Sequence, residues 1–163
     1  MDIYLKNKQT LQIDDYYFKC SIGKNGVSSI KVEGDKKTPR GLYSLGPLYF
    51  RKDRVSKPIT LLPSIPIRKN MGWCDDVKSK FYNKIVNTKK KLRYEKLFIK
   101  KNDYDLLIPI NYNTTKIKKG KGSAIFLHIT KNYKKTLGCI AIKKKDMIIL
   151  LKIITKQTKI EIT

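Results

Sequence analysis

Cys139 and His128 are the two side chains of this 163-residue chain that together can do covalent chemistry. A thiol is a weak nucleophile until it loses its proton, and an imidazole within hydrogen-bond reach takes that proton. His128 is the only histidine, and Cys139 follows it by eleven residues. Gly138, just before the cysteine, leaves the backbone N–H groups beside the sulfur unobstructed, as stabilisation of a tetrahedral oxyanion requires. The chemistry such a set would do is nucleophilic catalysis by a thiolate. Spacing alone also fits a second account, a core cysteine beside a hydrogen-bonded histidine.

The elements around the pair are short and strand-like. Residues 123–129 form an apolar run with His128 near its end, and 138–142 form a second run after a basic loop. Residues 105–110 read as another buried strand, 145–154 as a helix packed on the sheet, and 159–162 as a closing strand. Towards the N-terminus, 3–5, 16–22 and 29–32 have strand character. The last two are joined by Gly23-Lys24-Asn25-Gly26 and read as a β-hairpin. Residues 42–45 read as a strand, 71–76 as a loop, and 81–86 as a short strand or turn. Pro58, Pro63 and Pro66 exclude a helix between 56 and 68. The expected fold is mostly β, a sandwich or barrel with one or two short helices, in a single domain over residues 1–163.

Composition narrows the function classes. There are 37 basic and 13 acidic residues, a net charge of +24, which raises nucleic acid or another polyanion as a partner. Only Arg40, Arg51, Arg54, Arg68 and Arg93 are arginines; the rest are lysines. Nucleic-acid readers favour the arginine fork, so the Lys-rich runs at 89–91, 116–121 and 143–145 read as solvated faces. A basic nucleic-acid-binding protein stands as the alternative from another class. Cys20, Cys74 and Cys139 form no Cys-x-x-Cys pair, and one histidine is too few for a zinc site, so no metal and no organic cofactor is expected. Cys20 and Cys74 read as core thiols. Residues 1–8 carry no apolar signal core, and no apolar run approaches the length of a membrane span. A cytoplasmic monomer is therefore the expectation, with a periplasmic or wall-associated location if an export segment precedes the chain.

Several motifs then fall in order along the chain. Thr136-Leu137-Gly138-Cys139-Ile140, preceded by Phe126-Leu127-His128, resembles the signature of the L,D-transpeptidase catalytic-domain (YkuD) family: a His, a gap, then Ser/Thr-His-Gly-Cys and an apolar residue. Gly34-Asp35 with Thr38-Pro39-Arg40-Gly41-Leu42-Tyr43 resembles the family's Thr-Pro-x-Gly turn. Trp73 with Asp75 and Asp76, Tyr82-Asn83, Asn111-Tyr112-Asn113 and the run from Gly120 to His128 resemble a compact branch of small members.

The resemblance implies Cys139 as the nucleophile that forms a thioester with a peptidoglycan tetrapeptide stem, and His128 as its base. It implies that the Ile129 carbonyl orients the imidazole, that Thr136 is the Ser/Thr before the Gly-Cys and belongs to the catalytic set, and that the Gly138 and Cys139 amides form an oxyanion hole. Carbapenem-type β-lactams are then expected to acylate Cys139. The chain departs from the pattern at Leu137, where the family has a second His, at Ala141, where it often has Arg, and in a shorter His-to-Cys gap. Arg40, Arg93, Lys134 and Lys135 are candidates for the carboxylate contact that Ala141 lacks. Trp73, Asp75 and Asp76 are candidates for the cleft wall, the acids facing a substrate amine. Two outcomes share the thioester. Attack by a stem amine cross-links the wall or exchanges a D-amino acid, and attack by water trims the terminal D-alanine of a muropeptide. With no export signal visible, trimming of cytoplasmic muropeptides is the expected outcome.

Overall fold

The computed structural model describes residues 1–163. In chain order, the first strands are β1 (Ile3–Lys6), β2 (Thr10–Ile13), β3 (Tyr16–Ser21), β4 (Val27–Ser28), β5 (Thr38–Pro39), β6 (Gly41–Ser44), β7 (Leu48–Phe50) and β8 (Ser64–Pro66). They are followed by β9 (Met71–Cys74), β10 (Ile85–Asn87), β11 (Tyr94–Lys96) and a 3-10 turn at Asn102–Tyr104. The chain ends with β12 (Leu106–Pro109), β13 (Phe126–Ile129), β14 (Ile140–Ile142), the helix α1 (Lys144–Ile153) and β15 (Lys159–Ile162). The fold is mostly β with one helix, built on a curled sheet.

Ten strands make that sheet in the order β6-β15-β1-β2-β3-β14-β13-β12-β7-β8. Its outer half follows period-two burial: β1 buries Ile3 and Leu5 and turns Tyr4 and Lys6 outward. Its centre, β12 to β14, is buried at every position, as strands covered on both faces must be. Successive residues of β13 therefore serve opposite cores. Leu127 and Ile129 join a cluster of 26 buried residues that includes Met147, Leu150 and Leu151 of α1. Phe126 joins a second cluster of nine on the other face, with Trp73, Leu97, Tyr104, Leu107 and Cys139. That second face is covered by the small β10-β9-β11 sheet.

Three sequence expectations need correction. Residues 29–32 do not pair back on β3; β3 lies between β2 and β14, and only the two-residue β4 pairs, in parallel with β5. Ile30 and Val32 are exposed and Lys31 is buried, so the apolar side chains face away from the protein and the apparent strand pattern is inverted. The strand β2, not anticipated, supplies β3 with its partner. The expected loop at 71–76 contains β9, the central strand of the small sheet, where Gly72 lets the Tyr94 ring lie against the backbone; an added Cβ there would sit 2.8 Å from the ring.

Candidate active site

β13 and β14 are parallel neighbours, with His128 opposite Ala141 and Leu127 opposite Ile140. Parallel neighbours usually need a crossover of a dozen or more residues. Here a short loop makes the return, and it is pinned on the way: Thr136 N–H donates to the Ile22 carbonyl at 3.0 Å, and Lys24 N–H donates to the Thr136 carbonyl at 2.9 Å. The loop thus delivers Cys139 one residue ahead of β14, onto the sheet face that carries Phe126 and His128.

The Gly138–Cys139 turn is fixed by two threonines. Thr136 Oγ1 accepts from Gly138 N–H at 3.1 Å and donates to the Cys139 carbonyl at 2.6 Å. Thr38, fully buried in β5, donates its hydroxyl to the Gly138 carbonyl at 2.8 Å and accepts from Gly23 N–H at 2.9 Å. Thr38 is therefore more than a turn residue; its single oxygen ties the Gly23 backbone to that of Gly138, a hundred residues further along the chain than Thr38 itself. Gly138 has φ +138°, and a Cβ there would stand 3.0 Å from the Lys37 carbonyl, so only glycine fits.

Cys139 is buried, 7% exposed. Its thiol donates to the Ala124 carbonyl and accepts from Phe126 N–H, both at 3.3 Å. His128, equally buried, has Nδ1 2.9 Å from the Ile129 carbonyl. That contact makes Nδ1 the protonated nitrogen and leaves Nε2 as the basic one. No hydrogen bond joins Cys139 to His128: they share a face, but the thiol rests on Ala124. Burial pushes the thiol well above its ordinary pKa, with Glu95 adding to the rise and the Phe126 amide and Lys31 opposing it. Burial also holds the imidazole below its usual value. Burial is the largest cause of both shifts, and the consequence is a resting pair of neutral thiol and neutral imidazole.

Around the pair lies a polar frame built largely on the Tyr82-Asn83 and Asn111-Tyr112-Asn113 motifs. Asn83, buried and with φ +57°, donates to the carbonyls of Tyr112 and Asn113 at 3.0 and 2.8 Å. Its oxygen accepts from Trp73 Nε1 at 2.9 Å and Ala124 N–H at 3.1 Å. It thereby fixes the residue on which the thiol rests. Trp73 packs edge-on to Phe126 with centroids 5.2 Å apart. Tyr104 meets both Phe126 and His128 edge-on, at 5.8 and 5.3 Å, and donates its hydroxyl to Glu95. Burial raises the Glu95 carboxyl. Glu33 accepts from Tyr82 and from Ser123, the latter at 2.7 Å.

The remaining predicted residues separate from the thiol. Arg40 is exposed and uses its backbone N–H on Ser28. Asp75 is engaged by Arg93 at 3.0 Å, and Asp76 caps the following turn through Lys78 N–H at 3.0 Å. Of the three expected at the cleft wall, the structure brings only Trp73 into the cluster that holds Cys139. The Gly138 amide, expected in an oxyanion hole, is taken by Thr136; the Cys139 amide has no protein acceptor. Lys134, Lys135 and Leu137 are exposed, Leu137 by 77%. Ala141 sits between His128 and Ser21 across the ladder, and the buried Ser21 hydroxyl has no partner. The sequence placed Thr38 and Asn83 in motifs, the Thr38-Pro39-Arg40-Gly41 turn and the Tyr82-Asn83 pair, but not the backbones they bond. Nothing in the sequence marks Glu95 or Tyr104.

No curated protein matches the chain, and no solved structure matches it. The model of the L,D-transpeptidase catalytic domain, YkuD, matches residues 2–162. With that match spanning the sheet from β1 to β15 and enclosing the Cys139 loop, the chain belongs to the L,D-transpeptidase catalytic-domain family, whose activity is on the peptide stems of peptidoglycan.

Proposed function

We propose that this protein is a cysteine acyl-enzyme that removes the terminal D-alanine from tetrapeptide stems of soluble muropeptides, an L,D-carboxypeptidase. The observation that carries the reading is the Gly138–Cys139 turn, clamped by Thr38 and Thr136 on the sheet face of the only histidine. The Cys139 sulfur attacks the carbonyl before the terminal residue, and its proton passes to His128 Nε2 once the thiol turns away from Ala124. The Cys139 N–H, free of any protein acceptor, stabilises the oxyanion. The amide C–N bond breaks as His128 returns the proton to the departing D-alanine amine. Water, deprotonated by His128, then attacks the thioester; the product leaves as a carboxylate and the thiol is restored.

Hydrolysis is favoured over cross-linking by the enclosure of the thiol. A buried Cys139, packed with Trp73, Phe126 and Tyr104, admits water more readily than the amine of a second stem. The neutral resting pair suits this chemistry, because charge separation is deferred until substrate is bound.

Incubation with tetrapeptide muropeptides, followed by mass spectrometry, tests the outcome. Tripeptide products are expected; dimers or exchanged D-amino acids would replace trimming with transfer. Intact-protein mass after incubation with a carbapenem tests the nucleophile, with one adduct expected on the wild type and none on Cys139→Ala. A wild type that takes no adduct would sink the acyl-enzyme reading.

A further inference from the structure

Of the 37 basic residues, only Lys31 and Arg51 are buried, at 5% and 3% exposure. Arg51 is bound to Asp53 and to the Ile99 carbonyl, on the Phe98 ring. Lys31 lies beside the nucleophile turn. Its ammonium pairs with Asp35 and donates to the Lys37 carbonyl at 2.6 Å, and that same carbonyl stands 3.0 Å from where a Cβ of Gly138 would be. Its stem passes Gly122, 3.3 Å from the equivalent point. Asp35 is itself held by Val32 N–H at 3.0 Å and Lys37 N–H at 2.9 Å. One side of the Cys139 turn thus faces a fixed cation, while the other faces Glu95 on β11 and Tyr104 on the 3-10 turn.

We infer that Lys31 is the positioning and electrostatic residue of this site, supplying from the 28–37 loop the positive charge that Ala141 does not supply from β14. The inference rests on Cys139 as the nucleophile of the proposed acyl transfer. A desolvated ammonium is expensive to bury; here it is retained within one backbone carbonyl of the turn whose sulfur must become anionic. Its charge acts on the Cys139 thiolate in the low-dielectric interior, where attraction is screened far less than at the surface. The groups facing the thiol set the balance. Lys31 favours the thiolate, Glu95 disfavours it, His128 is neutral at rest, and Asp35 partly offsets Lys31.

The two members of the ion pair therefore predict opposite effects. In Lys31→Gln the thiol titrates higher, and alkylation of Cys139 by iodoacetamide at pH 8 slows by about tenfold, the equivalent of one pKa unit. In Asp35→Asn the lysine is no longer offset, the profile moves to lower pH, and alkylation quickens. Lys31→Arg keeps the wild-type direction. The pH dependence of Cys139 labelling, followed by peptide mass spectrometry, reads all three. Should Lys31→Gln fail to fold, the Lys31→Gln/Asp35→Asn double variant buries no lone charge and still moves the profile up, opposite to Asp35→Asn alone. Equal slowing in both single variants, or an unmoved midpoint, would reduce Lys31 to a structural role and overturn the inference. Failure of the acyl-transfer reading is separable: alkylation would shift as expected while the wild type took no carbapenem adduct.

Discussion

At the residue scale the site depends on single polar atoms that satisfy two backbones at once. Thr38 Oγ1 bridges Gly23 N–H and the Gly138 carbonyl. Thr38→Val keeps the shape and deletes both bonds, leaving a buried donor and acceptor unpaired. Each orphan costs about 1–3 kcal/mol, so a loss of about 2–4 kcal/mol in urea-melt stability is expected. Carbapenem acylation should slow as well, because the Gly138 carbonyl is freed. Unchanged acylation in a destabilised but folded variant would show that the turn holds without Thr38. Gly138→Ala meets a different obstacle, a positive φ and the Lys37 carbonyl, and should cost about 1–3 kcal/mol of strain.

At the scale of elements, the small β10-β9-β11 sheet covers the thiol face. Its Trp73 is held by Asn83 and packs on Phe126, and Glu95 pairs with Trp73 across β11 and β9. Trp73→Ala removes a buried indole, at a cost of about 3–5 kcal/mol, and opens the face over Cys139. Iodoacetamide should then alkylate Cys139 faster than in the wild type, while turnover of a tetrapeptide falls. Slower alkylation would mean that the indole shapes the thiol's surroundings rather than shielding them. Cys20 serves as the internal reference: it lies in the other cluster, where burial pushes its thiol up to about 12, and its labelling should not change.

For the molecule as a whole, two charge effects set stability. A net charge of +24 repels itself, and salt screens that repulsion over a Debye length of about 10 Å at 0.1 M. Moving from 10 to 300 mM NaCl should raise Tm by about 3 °C; a fall would show that surface ion pairs outweigh the repulsion. His128 acts through protonation. Its folded pKa is held below the unfolded value of about 6.5, so as pH drops through 6.5 the unfolded chain takes up a proton that the buried imidazole refuses. This group's effect is absent above that range and destabilising below it, and His128→Gln should flatten the dependence in melts between pH 7 and 5.

The local signals in the sequence were sound where one strand carries its own answer. The apolar runs around His128 and before Lys143 became β13 and β14, residues 159–162 became β15, and the helix expected at 145–154 became Lys144–Ile153, because period and burial there agree. The motif residues Thr136, Gly138 and Cys139 stood out because glycine beside a cysteine is a local feature. Residues 29–32 misled because alternation does not say which face is buried, and there the lysine went inside. The roles of Thr38, Asn83 and Lys31 come from contacts spanning long stretches of sequence, such as Thr38 with Gly138. The sequence by itself determined the mostly β class and singled out Cys139 and His128 as candidates. Only the tertiary structure decided which threonine, which amide and which of 37 cations surround the pair, since hydrogen bonding and charge act through space and leave no period along the chain.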